Sequence, residues 1–331
     1  MKTRTLGTTG LELSAFSFGA AGIGNLYREV SRDDAMATLD VAWDAGIRYF
    51  DTAPHYGHGL SERRLGDYLR DKPRGSYTIS SKVGRLLKPV AEDKIPDHGF
   101  VRPLPFAQVH DYSYDGIMRS YEDSLARLGI NAIDILYIHD LEVATLGESG
   151  YAHHFKAFMD GGARALDELK SSGAVKAVGL GVNEVPACLN LLASYPLDAI
   201  LLAGRYTLLD RSAEPELLDR CRETGTRLVI GGVFNSGILA TGARPGATFN
   251  YTEAPSEIMK RVSAMETVTK TAGITLAAAA LHYPLDNPIV ASVLIGTAKP
   301  SSLRRNVEMF DQSIPDTLWA ELDRHAIGAH G

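Results

Sequence analysis

Cysteine is nearly absent. Only Cys188 and Cys221 occur in 331 residues, and they form no CxxC pair. A disulfide framework is therefore excluded, and each thiol is expected to be a small buried apolar group in a reducing compartment. A basic excess is missing too, because 34 Lys and Arg stand against 40 Asp and Glu. Nucleic-acid binding needs clustered cations to meet phosphates, so no such partner is expected. Long apolar runs are lacking. The stretch 15–23 is too short and too glycine-rich to span a bilayer. Thr8, Thr9, Gly10 and Glu12 interrupt any leader-peptide core behind Lys2 and Arg4. We expect a cytoplasmic protein without membrane contact. No low-complexity tract or linker divides the chain, so one domain over 1–331 is expected. A chain of this length buries roughly three quarters of its unfolded surface and needs no covalent staples.

What is present is alternation. Short apolar runs at 15–19, 47–51, 77–82, 132–139, 175–181, 198–202, 227–230 and 289–295 read as strands. Amphipathic stretches at 32–44, 61–70, 114–128, 163–172, 186–194, 215–223, 255–271 and 301–310 read as helices. Eight successive βα units predict an α/β fold with a parallel sheet closed on itself, a (β/α)8 TIM barrel. Ser31 followed by Asp34 marks a helix start, and Gly129 and Gly173 mark helix stops. The segment 4–13 reads as an N-terminal hairpin turning at Thr9-Gly10 and plugging the barrel floor. Extra C-terminal helices are expected at 275–283 and 315–325. Three long connections, 85–112, 141–162 and 231–252, leave the C-terminal ends of strands, where barrel enzymes carry their sites.

Asp51, Lys82 and His139 end the second, third and fourth strand candidates, and Tyr56 follows Asp51 in the next loop. Each alone has an ordinary explanation: a cap, a solvated strand end, a satisfied core histidine, a packed phenol. Together at one mouth they suggest a tyrosine acid/base whose phenol is acidified by the lysine ammonium, with Asp51 holding the lysine and His139 orienting a substrate oxygen. That set suits hydride transfer with a cofactor. His55 and His58 are spaced for a metal ion, but no third ligand is evident, and no metal site is expected. His153 and His154 are expected to face solvent.

Asp51-Thr52-Ala53 with Tyr56, Gly59-Leu60-Ser61-Glu62, Ser81-Lys82-Val83-Gly84 and Ser124-Leu125-Ala126-Arg127-Leu128-Gly129 before Ile138-His139 resemble the aldo-keto reductase superfamily over about residues 4–310. The resemblance implies Tyr56 as general acid/base, Asp51 and Lys82 as its electrostatic partners, and His139 as the substrate-orienting group. Asp111-Tyr112-Ser113-Tyr114-Asp115-Gly116 and His139-Asp140 resemble the branch of fucose or D-threo-aldose 1-dehydrogenases, L-galactose dehydrogenases and pyridoxal 4-dehydrogenases. Those enzymes oxidise a hemiacetal to a lactone. A small-molecule substrate is expected, contacted by Tyr27, Phe100, Phe106 and Asp140, with a lid formed by 85–112.

Gly22-Ile23-Gly24 and Gly179-Leu180-Gly181 lack the third glycine of a dinucleotide fingerprint, so a Rossmann domain is disfavoured. The resemblance instead implies NAD(P) across the barrel mouth. Asn183 matches a carboxamide-binding asparagine, Gly296 and Thr297 a phosphate-binding turn, and Asn306 an adenine contact. Gly22, Gly231, Gly232, Gly237, Leu239, Lys299 and Arg305 complete the implied cofactor set. Val182 stands where the family has serine, Ala203 near its glutamine, and Gly231 at its stacking aromatic, with Phe234 a candidate substitute. Ser302 occupies the place of an arginine that clamps a 2′-phosphate, which predicts NAD, while Lys299 and Arg304 leave NADP open. A homo-oligomer is allowed. Three rival readings stay open: an NADPH-dependent aldehyde or ketone reductase, a Schiff-base lyase using Lys82, and a cofactor-sensing regulatory subunit without catalysis.

Overall fold

The computed structural model describes residues 1–214 and 216–328. Eight parallel strands close a barrel: Phe16–Gly19, Tyr49–Asp51, Thr78–Val83, Ile135–His139, Ala177–Val182, Ala199–Ala203, Arg227–Gly231 and Val290–Gly296. Each pairs with the next, and the eighth closes on the first at Gly296 opposite Gly19. The expected α/β barrel is therefore the observed fold. The expected strand 132–139 starts late because Asp134 turns its carboxylate onto the Ile79 N–H at 2.9 Å and onto Arg74.

Helices wrap the outside at or near their expected positions. Ser31 caps Arg32–Asp44 by accepting from the Asp34 N–H at 3.0 Å. Gly129, in the left-handed region, ends Tyr114–Leu128. This helix packs tightly on Leu60–Leu69: a Cβ on Gly66 would lie 2.0 Å from the Leu128 carbonyl oxygen. The helix expected from 215 runs Leu217–Thr224, and Pro215 lies outside the described residues. The two extra C-terminal helices are Leu276–His282 and Thr317–Asp323.

The hairpin pairs Thr3–Thr5 with Glu12–Ser14. Its Leu6, Leu11 and Leu13 are buried in one cluster with Tyr49, Tyr137 and Val229 from inside the barrel, so the floor is sealed by apolar packing.

The long connections are more ordered than their sequences suggest. In 85–112, Arg85–Pro89 and Phe106–His110 form an antiparallel ribbon. The stretch between them returns across the mouth, where Tyr27 donates its N–H to Gly99 O at 2.8 Å and Val101 to Asn25 O at 2.9 Å. Residues 141–162 are not a loop. They form a helix, Val143–Ala157, kinked at Gly147, then a π-helical turn, Phe158–Gly162, that merges with Ala163–Ser171. No residue of Val143–Ala157 is fully buried; only Leu146, Tyr151 and Phe155 pack partly against the core, too sparse a stripe to announce it. Gly162 lets this turn pack closely on the backbone before Tyr114–Leu128, since a Cβ there would lie 2.3 Å from Tyr112 O. Residues 231–252 contain a helical turn, Ile238–Thr241, and the first strand of a small hairpin pairing Thr248–Phe249 with Thr252–Glu253. Among the described residues no helix is long and apolar enough to cross a membrane.

Candidate active site

Inside the barrel a polar ladder climbs toward the mouth. The Tyr137 and Tyr49 hydroxyls lie 3.1 Å apart, and Tyr49 Oη lies 3.0 Å from Ser80 Oγ. Ser80 Oγ donates to Asp51 Oδ1 at 2.7 Å, and Lys82 Nζ donates to Asp51 Oδ2 at 2.6 Å and to Thr52 O at 2.9 Å. The side chains of Lys82 and Asp51 are 2% and 1% exposed, which their pairing and the further hydrogen bonds to Thr52 O and Ser80 make tolerable. Burial pushes the Lys82 ammonium down, but Asp51 and Tyr56 outweigh it and the net direction is up. A lysine held this firmly as ammonium is a poor amine nucleophile, which weighs against the Schiff-base reading.

Lys82 Nζ lies 4.7 Å from the centroid of the Tyr56 ring. The two groups meet as the sequence suggests, but the net effect on the phenol is a correction. Burial pushes Tyr56 up to about 12, and the Lys82 ammonium only pulls against that rise. Lys82 reduces a penalty in this pocket; it does not by itself acidify the tyrosine below its ordinary range.

His139 is held neutral. Burial, then the charges of Arg85 and Lys82, drive its imidazole well below the ordinary histidine value. Its carbonyl accepts from Tyr112 Oη at 2.5 Å, which fixes the strand end. Next to it Asp140 adopts the left-handed region and pairs with buried Arg85. Asp140 Oδ2 lies 3.4 Å from His139 Nε2. Burial raises the Asp140 carboxyl to about 6, against the pull of Arg85.

Tyr56, Lys82 and His139 open on a cavity of about 300 Å³. Tyr27, Phe100, Asp140 and Asn183 also line it. Phe106 does not. It sits where the ribbon begins, opposite Pro89, because the connection folds as paired strands rather than as one lid loop. His55, His98 and Tyr251 line the cavity without having been singled out as substrate contacts. His55 directly precedes Tyr56 in sequence and was a readable signal; His98 and Tyr251 lie in irregular segments whose placement no period reveals. His154 is half-buried rather than solvent-facing, with its ring 5.2 Å from that of Tyr112.

The mouth can accept a nicotinamide dinucleotide. Glu142, buried and unpredicted, accepts from the Asn183 backbone N–H at 2.7 Å and from Asn183 Nδ2 at 3.0 Å. With Nδ2 committed to a carboxylate, Asn183 presents Oδ1 as an acceptor, which suits a primary carboxamide. Gly296 is exposed at the end of the last strand, Thr297 and Asn306 are half-buried, Lys299 is exposed at the start of Pro300–Phe310, and Arg305 is exposed at its middle. Gly22 packs on this turn, with only 3.0 Å between a virtual Cβ and Thr297 C. Gly232 and Gly237, both left-handed, offer only backbone, as does Gly231 at the end of the seventh strand. Leu239 is a correction: its side chain is fully buried and its N–H is taken by Phe234 O at 3.1 Å, because the segment coils into a helical turn on the core. Phe234 packs against that core as well and does not line the cavity. Among the described residues no three His, Cys, Asp or Glu side chains are grouped for a metal ion.

Comparisons with known proteins agree with this picture. The model of the Aldo/keto reductase family matches residues 15–327. A pyridoxal 4-dehydrogenase of Microbacterium luteolum is 46% identical over 328 residues, covering 96% of each chain. A D-threo-aldose 1-dehydrogenase of a Pseudomonas species is 40% identical over 318 residues, covering 95% of this chain and 94% of that one. The holo form of an aldo-keto reductase from Bacillus halodurans superposes with a TM-score of 0.77 at 23% identity, over 99% of this chain and 97% of the other, a likeness of fold.

Proposed function

The chain belongs to the aldo/keto reductase family, and from that premise we propose that it is an NAD-dependent dehydrogenase oxidising a hemiacetal carbon, of an aldose or of pyridoxal, to a lactone. The observation that carries the reading is Lys82, buried between Asp51 and the ring of Tyr56 at the edge of a cavity of substrate size. Tyr56 accepts the proton of the hemiacetal hydroxyl as the C–H hydride departs and the C=O of the lactone forms. Lys82 stabilises the phenolate, and Asp51 keeps Lys82 charged and in place. His139, neutral and next to Tyr56, holds the reacting oxygen. When bound, the dinucleotide supplies the hydride acceptor and, in its oxidised form, a positive charge that adds to the pull on Tyr56.

Asn183 would hold the carboxamide through Oδ1, with Glu142 fixing its orientation. The backbone at Gly296 and Thr297 would hold phosphate, and Asn306 would meet adenine. Ser302 carries no charge of its own for a 2′-phosphate, which favours NAD, although the Arg305 guanidinium lies 3.4 Å from its hydroxyl and, with Lys299 and Arg304, leaves NADP open. The test is nicotinamide absorbance with L-fucose, L-galactose, D-arabinose and pyridoxal, using NAD and NADP, with the product identified as lactone. Turnover of an open-chain aldehyde alone, by reduction with NADPH, would replace this reading.

A further inference from the structure

Arg85 organises one corner of the cavity that the proposed chemistry does not use. Its side chain is 7% exposed. It pairs with the Asp140 carboxylate, donates from Nη1 to Gln108 Oε1 at 2.9 Å, and places Nη1 3.3 Å from His55 Nδ1. A guanidinium carries only donors, so the Arg85 contact is a hydrogen bond in the tautomer whose Nδ1 accepts; Gln108 also hydrogen-bonds the His55 ring. A neutral imidazole that accepts at Nδ1 carries its proton on Nε2. Burial and Arg85 push His55 down to about 3, so the ring is neutral over the working range. His55 lines the cavity with Nδ1 turned away to Arg85, which leaves Nε2–H for a ligand. Asp140, on the same guanidinium, lines the cavity as an acceptor. Tyr56 and His139 serve the reacting oxygen. The His55 ring lies beside both, 6.1 Å from that of Tyr56 and 5.8 Å from that of His139 between centroids, as a donor for a neighbouring oxygen.

We propose that His55 and Asp140, locked by Arg85 as a donor and an acceptor, recognise hydroxyls next to the hemiacetal carbon, so that the substrate is an aldose carrying a 2-hydroxyl. An aldose hydroxyl both donates and accepts, which this pair matches. Pyridoxal has no hydroxyl on the atom bonded to its hemiacetal carbon; its phenolic oxygen lies one bond further away, in the plane of the ring, and meets the pair less well. The inference rests on the dehydrogenase reading and narrows it.

The experiment compares L-fucose with 2-deoxy-L-fucose in the wild type, His55→Phe and His55→Gln. Wild-type kcat/KM is expected to fall roughly 10- to 100-fold without the 2-hydroxyl. His55→Phe, which keeps the ring and loses the donor, should lower L-fucose to the 2-deoxy level and erase the preference. His55→Gln, which retains an N–H, should restore part of it. A preference in His55→Phe equal to that of the wild type overturns the proposal, and so does a wild type that oxidises pyridoxal but neither sugar; the dehydrogenase reading survives both. If nothing turns over, that reading fails, and saturation-transfer NMR of the two sugars decides the inference alone. A transfer signal that is strong for L-fucose on the wild type and weak both for the 2-deoxy sugar and on His55→Phe supports it. Equal signals overturn it.

Discussion

Replacing Lys82 by Met keeps the length of the side chain and removes its charge. Nζ sits 4.7 Å from the Tyr56 ring in a buried setting. Taking the centroid distance as the charge separation, an effective dielectric of about 20 gives about 3.5 kcal/mol of attraction for the phenolate, or between two and three powers of ten in its population. Tyr56 already stands at about 12, raised by burial with Lys82 opposing, so losing Lys82 moves it further up. The base form is then scarcer at every working pH. Lys82→Met should therefore lower kcat/KM for oxidation by roughly 100- to 1000-fold, with a nearly unchanged Kd for NAD. In both proteins the rate should climb with pH through the alkaline range. Asp51 would be left buried without its cation, so the double variant Asp51→Asn/Lys82→Met controls for instability and should be as slow as the single one. A folded Lys82→Met enzyme within tenfold of the wild type would refute the argument.

Gly66→Ala places a methyl group 2.0 Å from Leu128 O and should cost about 1–3 kcal/mol, seen as a lower Tm; an unchanged Tm would mean that these helices slide freely. Asp140 has a folded value of about 6 against an ordinary 3.8, set by burial. Its contribution to stability is thus complete below the lower value and lost as pH rises through the upper one. Urea titrations should find wild type losing up to about 3 kcal/mol relative to Asp140→Asn across that window, and a constant difference would discount the shift. Ser302→Arg should raise kcat/KM with NADP roughly 10- to 100-fold by adding a charge-assisted contact to the 2′-phosphate; kinetics with both cofactors check it, and an unchanged NADP efficiency would count against it.

The barrel was legible because its signals repeat. Eight apolar runs alternate with amphipathic stretches, and strand ends fall at Asp51 and His139 and one residue past Lys82. The helix Val143–Ala157 was not legible, since none of its residues is fully buried and the partly buried Leu146, Tyr151 and Phe155 make too sparse an apolar stripe. Phe106 was misplaced because aromatic content marks a segment as interesting without saying that it pairs as a ribbon. Tyr49, Tyr137 and Ser80 were read only as strand formers. Their role as a hydrogen-bonded ladder under Asp51 depends on the closure that turns alternate residues inward. The sign at Tyr56 was missed for a related reason: sequence supplies the partner charge but not the depth of burial that opposes it.

The hairpin beneath the barrel bears on which end of the molecule is free to vary. Leu6, Leu11 and Leu13 are packed into one cluster with Tyr49, Tyr137 and Val229, so the floor is tied to the interior. Changes in the loops at the opposite end can then retune what is bound there without disturbing the foundations.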